Sequence, residues 1–249
     1  MKETVQTRLY VAAALAGGLS IGLDASQSHY LKTVLRLGEG AVLALFNGRD
    51  GEWLGRIDAL GKGWCSVTLY ERRREQDSVP DLWLLFAPIK RARLDFLVEK
   101  ATELGVAALH PVLTERTMVE RVNLDRLRAN AIEAAEQTER LSVPELAEPE
   151  KLSRIMARWP GERRVLLCDE SGSAPPIVEV LAMAPSGPSA VLVGPEGGFA
   201  ESELDALRKF PFVSCVGLGP RVLRADTAAL AALAVVQALA GDWRTPRRR

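Results

Sequence analysis

The sequence predicts an α/β protein: a parallel sheet with crossover helices in the longer carboxyl-terminal part, preceded by a small β-barrel. Three observations predict it. Beyond Pro80, apolar runs of strand length alternate with helical stretches. Ahead of Pro80, short apolar runs are separated by Asn47-Gly48-Arg49-Asp50-Gly51 and Gly61-Lys62-Gly63, turn sequences that join strands tightly. Near the end, two apolar runs, 191–193 and 212–216, each break off into a glycine-bearing loop followed by a helical stretch. Strand, glycine loop and helix in that order outline a ligand site at the carboxyl edge of an α/β sheet.

Residues 8–13 read as a first strand and 24–37 as a helix, capped by Asp24 or Ser26, with Tyr30, Leu31, Val34 and Leu35 on one face. Strands follow at 41–46, 52–59 and 64–70. The run Glu71-Arg72-Arg73-Arg74-Glu75-Gln76-Asp77-Ser78-Val79-Pro80 is polar and ends in proline, so it marks the boundary between a domain over 1–75 and one over 76–249. Its three arginines read as a solvated linker, with a phosphate contact as the alternative. The second domain opens with a strand at 82–87 and a helix at 91–104 that stops at Gly105. A strand at 106–113 is interrupted by Pro111. Asn123 then caps a helix reaching about residue 140, with Leu124, Leu127, Ile132 and Ala135 near one face. A strand at 164–168 leads into Asp169-Glu170-Ser171-Gly172, and a short helix spans 176–183. The last helix, 226–240, can be capped by Asp226 or Thr227 and is then apolar on every face, with Gln237 the only polar interruption. A helix apolar all round must be covered all round. That points to a second subunit, or else to an internal helix.

Composition narrows the function classes. Apolar residues make up 47% of 249, enough for a sizeable core. Lys+Arg and Asp+Glu are both 32, which excludes a globally basic nucleic-acid binder and leaves room for a local basic patch. Cys65, Cys168 and Cys215 lie far apart, each inside an apolar run, without metal or redox spacing, and read as core residues. No metal site is legible. Met1-Lys2-Glu3-Thr4 lacks the apolar stretch of a leader, and no apolar run reaches membrane-spanning length, so a soluble cytoplasmic protein is expected. His110, in an apolar strand before Pro111, reads as a packed histidine. The first glycine loop is neither G-x-x-x-x-G-K-[ST] nor G-x-G-x-x-G. It carries Glu196 and no lysine, a composition that suits a neutral or cationic ligand better than a triphosphate.

Gly194-Pro195-Glu196-Gly197-Gly198-Phe199, then Leu218-Gly219-Pro220-Arg221-Val222-Leu223-Arg224, then Thr227-Ala228 together resemble the bacterial 16S ribosomal RNA uridine-N3 methyltransferases of the SPOUT class. The likeness extends upstream to Lys90, to Glu99-Lys100-Ala101-Thr102-Glu103-Leu104-Gly105-Val106, to Glu136-Gln137 with Val143-Pro144, and to His29-Tyr30 with Val34-Leu35-Arg36. It implies a PUA-like RNA-binding barrel followed by a methyltransferase domain with a deep trefoil knot. It also implies a homodimer, S-adenosylmethionine bound in the knot, and 16S rRNA or the small ribosomal subunit as partner. On this resemblance the cofactor residues are Leu192, Gly194, Pro195, Glu196, Gly197, Gly198, Leu218, Gly219, Val222, Leu223 and Thr227, with Asp169 or Glu170 nearby. Arg221, Arg224 and Asp226 are the catalytic candidates. Arg8, His29, Lys32, Arg36 and Lys90 are the RNA-binding candidates, and Arg247-Arg248-Arg249 reads as a tail adding weak non-specific RNA affinity.

The family usually has Glu where this chain has Asp226, so the carboxylate is kept with a shorter reach; helix capping is the role read for it. Methyl transfer to uracil N3 needs alignment, loss of the N3 proton and stabilisation of charge on the uracil oxygens, for which Arg221 and Arg224 are suited. The base stays open between Asp226, a water and an RNA phosphate, because guanidinium stays protonated. Two other functions fit the same motifs: a SPOUT enzyme acting elsewhere on RNA, such as ribose 2′-O, and a non-catalytic RNA-binding assembly factor.

Overall fold

The computed structural model describes residues 3–119, 121–183 and 187–245. They form two compact units: the chain up to Ser78 together with Ala135–Val143, and Val79–Ala134 together with the chain from Pro144. Arg247-Arg248-Arg249 lies outside the described residues.

The first unit is a five-stranded sheet of β1 (Arg8–Tyr10), β2 (Ser20–Leu23), β3 (Val42–Phe46), β4 (Glu52–Leu60) and β5 (Cys65–Arg74), ordered β1-β3-β4-β5-β2. β1 pairs with β3 in parallel and the other pairs are antiparallel. Every residue of β3 is buried, and Leu43 and Leu45 join Leu9, Leu31, Val67 and Leu69 in one core. The register of β4 on β5 shifts three times, the device that bends a sheet round such a core. The first strand is shorter than the apolar run suggested, ending at Tyr10. β2 escaped the sequence reading because four residues containing a glycine make too short a pattern.

Two expectations are corrected here. The arginines of 72–74 are not linker: they finish β5, with Arg72 opposite Trp53 and its guanidinium 5.9 Å from that ring. The first helix, α1 (Ala25–His29), is capped by Asp24, which accepts from Gln27 N at 2.8 Å, but it continues as a π-helical turn over Tyr30–Val34. Leu35 N donates to Tyr30 O, five residues back. This wider turn shifts the side-chain phase, so Ser28 and Leu31 are buried while Tyr30 and Val34 are exposed.

Arg8 is corrected as well. Its Nε donates to Glu52 at 2.6 Å, Nη1 to the carbonyls of Ala135 and Glu136, and Nη2 to that of Arg140, and it lies 4.6 Å from the Phe46 ring. A cation on the last carbonyls of a helix satisfies acceptors that have no helical partner. Its side chain is 9% exposed. Arg8 therefore anchors segment 135–143 within this unit instead of presenting charge to RNA.

The second unit is an all-parallel sheet with helices. Its elements are β6 (Leu82–Phe86), α2 (Arg91–Glu103), β7 (Ala108–Leu113), α3 (Leu124–Gln137), β8 (Glu145–Leu146), β9 (Glu150–Lys151), α4 (Leu152–Ala157), β10 (Arg164–Cys168), α5 (Ile177–Ala182), β11 (Ser189–Val193), α6 (Glu201–Leu207), β12 (Val213–Val216) and α7 (Ala225–Leu239). The order is β12-β10-β11-β6-β7-β8, with β9 also on β7. Pro111 falls where β7 changes partner, from β8 at Ala108 and Leu109 to β9 at Val112 and Leu113, so its missing N–H interrupts neither pairing. β8, β9 and α4 were not anticipated: two-residue strands carry no periodicity.

Asn123 Oδ1 accepts from Arg126 N and starts α3 as expected. Gly105, at φ +87°, ends α2. Gln237 is fully buried and donates to Leu104 O at 2.6 Å, so the one polar interruption in α7 ties that helix to the end of α2. α7 buries Ala228, Ala229, Ala232, Leu233 and Val236, but Leu239 is 45% exposed and Val235 only partly covered. Cys65 is buried, while Cys168 and Cys215 are only partly so. Among the described residues no helix is long and apolar enough to cross a membrane.

Candidate active site

Because β6, β7, β10, β11 and β12 are parallel, their carboxyl ends share one edge of the sheet. Loops 87–90, 114–123, 169–176, 194–200 and 217–224 all leave from that edge. The two glycine loops do not come from neighbouring strands: β10 lies between β11 and β12, and its own loop, beginning at Asp169, comes between theirs.

Loop 194–200 is tightly built. Pro195 O accepts from Gly198 N at 2.9 Å. Gly198 has φ +67°, and a Cβ there would run into Glu170 Oε1. A Cβ on Gly194 would lie 2.8 Å from the Phe199 ring. Glycine is thus required at 198 for conformation and at 194 for space. Gly194, Pro195, Gly198 and Phe199 are buried, Glu196 and Gly197 exposed. Arg116, from the turn after β7, donates to Gly197 O at 2.9 Å. Glu203 accepts from both Ala200 N and Glu115 N, which pins the start of α6 to that same turn.

Loop 217–224 is held only at its root. Gly217 N donates to Pro175 O, and Ile177 N donates to Gly217 O. From there Gly219, Pro220, Arg221, Val222 and Arg224 are exposed, Val222 by 78%, with Leu218 and Leu223 partly covered. Among the described residues neither the Arg221 nor the Arg224 guanidinium has a hydrogen bond or ion pair. The residue in the capping position of α7 is Arg224, not Asp226 or Thr227. Asp226 sits in the first turn, where it accepts only from Thr227 N, at 3.0 Å. Between the two loops Asp169 is held ionised. Burial would raise its pKa, but the Ser171 N–H and hydroxyl and the Arg208 guanidinium, 2.9 Å away, hold it below the usual carboxylate range.

The structure gathers most of the residues expected at this site on one edge: the backbone of both loops, Asp169, Glu170, Arg221, Arg224, Asp226 and Thr227, with Lys90 at the start of α2. Leu192 lies inside β11 with its side chain in the core, so only its backbone approaches the edge. His29, Lys32 and Arg36 belong to the first unit and are exposed, at the end of α1, on the π-helical turn and just after it, and Arg36 has φ +55°. His110 stacks on Trp83 at 4.6 Å; burial, then the Arg163 charge, pushes its pKa down to about 4, so it is a neutral packed residue. Arg116, Glu203 and Arg208 were missed, since nothing in the local sequence connects a turn after β7 with a loop after β11. A cleft of about 650 Å³ lined by Arg164, Phe212, Ser214 and Cys215 runs beside β12 and shares no residue with either glycine loop. Among the described residues no group of three His, Cys, Asp or Glu is placed to hold a metal.

Residues 75–237 match the family model of the RNA methyltransferase domain, and 23–70 that of the RNA methyltransferase PUA domain. The chain belongs to the RNA methyltransferase family. It is similar to Ribosomal RNA small subunit methyltransferase E of Rickettsia conorii, 35% identical over 93% of this chain and 95% of that one. The protein of the same name from Synechocystis is 34% identical over 93% and 77%. Among solved structures, Ribosomal RNA small subunit methyltransferase E from Neisseria gonorrhoeae bound to S-adenosyl methionine superposes with a TM-score of 0.86 at 29% identity, over 96% and 99% of the two chains. A methyltransferase from Legionella pneumophila, also with bound cofactor, gives 0.85 at 30% identity over 96% and 100%. The family thus pairs an α/β methyltransferase fold with a PUA-like domain, which is the two-unit architecture seen here.

Proposed function

We propose that this chain transfers a methyl group from S-adenosylmethionine to N3 of a uridine in 16S ribosomal RNA, acting in the cytoplasm as a homodimer with a knotted catalytic domain. The observation that supports it most is the pairing, on one sheet edge, of a hydrogen-bonded, lysine-free glycine loop with two exposed arginines that have no partner among the described residues, in a chain 35% identical to a small-subunit rRNA methyltransferase.

The residues present suit the cofactor. Gly194 and Gly198 let the loop backbone pack against Phe199 and Glu170, and Glu170 and Glu196 put carboxylates beside the loop, which favours a cationic ligand. The backbone of 194–198 and of 218–223, with Thr227, would hold it; when bound it supplies an electrophilic methyl on a sulfonium. Arg221 and Arg224 neutralise charge developing on the uracil oxygens. Asp226, which among the described residues accepts a single bond, from the next N–H, has its second oxygen available to accept the N3 proton. Target uridine has to be unpaired for its Watson–Crick edge to reach these groups. His29, Lys32, Arg36 and Lys90 are assigned to RNA phosphates. The partly uncovered apolar side of α7, with Leu239 and Val235, supports the dimer.

Incubating the protein with cofactor and small ribosomal subunits, then mapping the modified atom by mass spectrometry, tests this reading. Methyl on uridine N3 is the expected result. Methyl on a ribose 2′-O replaces the target, and RNA binding without methylation replaces the enzyme by an assembly factor.

A further inference from the structure

We propose that the turn after β7 is a brace for the cofactor loop and that Arg116 is its positioning residue, an inference that rests on the cofactor reading above. β7 is two strands from β11, with β6 between them, so the turn reaches across a strand to touch loop 194–200. It meets that loop at Gly197 and the start of α6 at Ser202 and Glu203. Arg116 Nη1 donates to Gly197 O at 2.9 Å, Glu115 N donates to Glu203 Oε1 at 2.9 Å, and the Ser202 hydroxyl donates to Glu115 at 3.3 Å. The turn is itself closed, Thr114 N donating to the Thr117 hydroxyl and Thr117 N to Thr114 O.

Arg116 is an exposed arginine that forms no ion pair among the described residues, and it spends its guanidinium on a carbonyl instead. Its stem carbons lie 3.8 and 3.9 Å from where a side chain on Gly197 would begin. The glycines of the loop have no side chains to stiffen it and lose the most backbone freedom when it is ordered. The aliphatic stem of Arg116 stands in for the missing side chain, and its guanidinium fixes the peptide plane between Gly197 and Gly198. Ordering the loop before the cofactor arrives removes that entropy cost from binding. Arg116 touches the loop and acts on the cofactor only through it.

Calorimetric titration with S-adenosylmethionine, together with steady-state kinetics on small subunits, distinguishes this role in wild type, R116A and R116K. R116A is expected to weaken cofactor binding about 5- to 10-fold, to raise the KM for cofactor by the same factor, and to leave kcat within about twofold and the thermal midpoint in place. R116K restores most of the affinity, because an ammonium on an aliphatic stem reaches the same carbonyl. Unchanged cofactor affinity with a raised KM for RNA overturns the proposal and makes Arg116 a substrate contact. A lowered thermal midpoint that R116K does not repair also overturns it, in favour of a general structural role. Absence of cofactor binding by the wild type rejects the cofactor reading and the brace together, whereas equal binding by wild type and R116A rejects the brace alone.

Discussion

The two glycine loops leave the same sheet edge, each between a strand and a helix, yet they are built differently. Loop 194–200 is closed on itself by Gly198 N and Pro195 O, packed under Phe199, and tied from outside by Arg116 and Glu203. Loop 217–224 is bonded at Gly217 and at Arg224 O, and between them it is largely exposed, carrying two arginines whose guanidinium groups have no partner among the described residues. On the function proposed above, the difference is a division of labour at one edge. A mould for a cofactor gains from being finished before binding. A group that must meet a large, mobile RNA gains from keeping its charges unspent until the substrate supplies the counter-charge.

Removing charge from the open loop separates the roles most sharply. Arg224→Ala is expected to lower kcat about 100-fold while cofactor affinity stays within about twofold, read by single-turnover methylation beside calorimetry. A matching loss of cofactor affinity would merge the two loops into one binding wall and break the comparison. Next, Gly198→Val strikes the closed loop, where φ is +67° and Glu170 occupies the space. Cofactor binding should weaken about tenfold or more, with binding of RNA alone unaffected. Equal damage to RNA binding would show that the closed loop is no dedicated mould.

The smallest effect is assigned to the segment between them. Asp169→Asn should cost about 1–2 kcal/mol of stability at pH 7, through the bonds to Arg208 and Ser171. The sign follows from the lowered pKa of Asp169. Ionisation of Asp169 contributes stability above the unfolded carboxylate value, and that stability disappears as pH falls below about 4. Wild type and variant should therefore draw together in urea midpoint as pH falls below the unfolded carboxylate value and diverge toward pH 7. Curves that stay parallel would mean the carboxylate is not what holds this loop.

Most of the fold was legible because its signals are local. Asn123 and Gly105 end elements by capping and positive φ, and strands such as 164–168 are uninterrupted apolar runs that match β10. The arginines of 72–74 were misread because charge looks the same on a linker and on the open face of a strand; only pairing with Glu52 and Trp53 distinguishes them. Arg8 was misread for a related reason. An arginine beside an apolar run reads as surface charge until the carbonyls of Ala135, Glu136 and Arg140, more than a hundred residues away, are brought to it.

By itself the sequence determined the alternation that makes a parallel sheet, the two glycine loops, and the family whose motifs they carry. It could do so because periodicity, glycine conformation and motif spacing are written along the chain. Tertiary structure alone decided that β10 separates the two loops, that Arg8 faces inward, and that a turn after β7 reaches over to Gly197. Strand order and long-range hydrogen bonds depend on how distant segments meet in space, and no local pattern records that meeting.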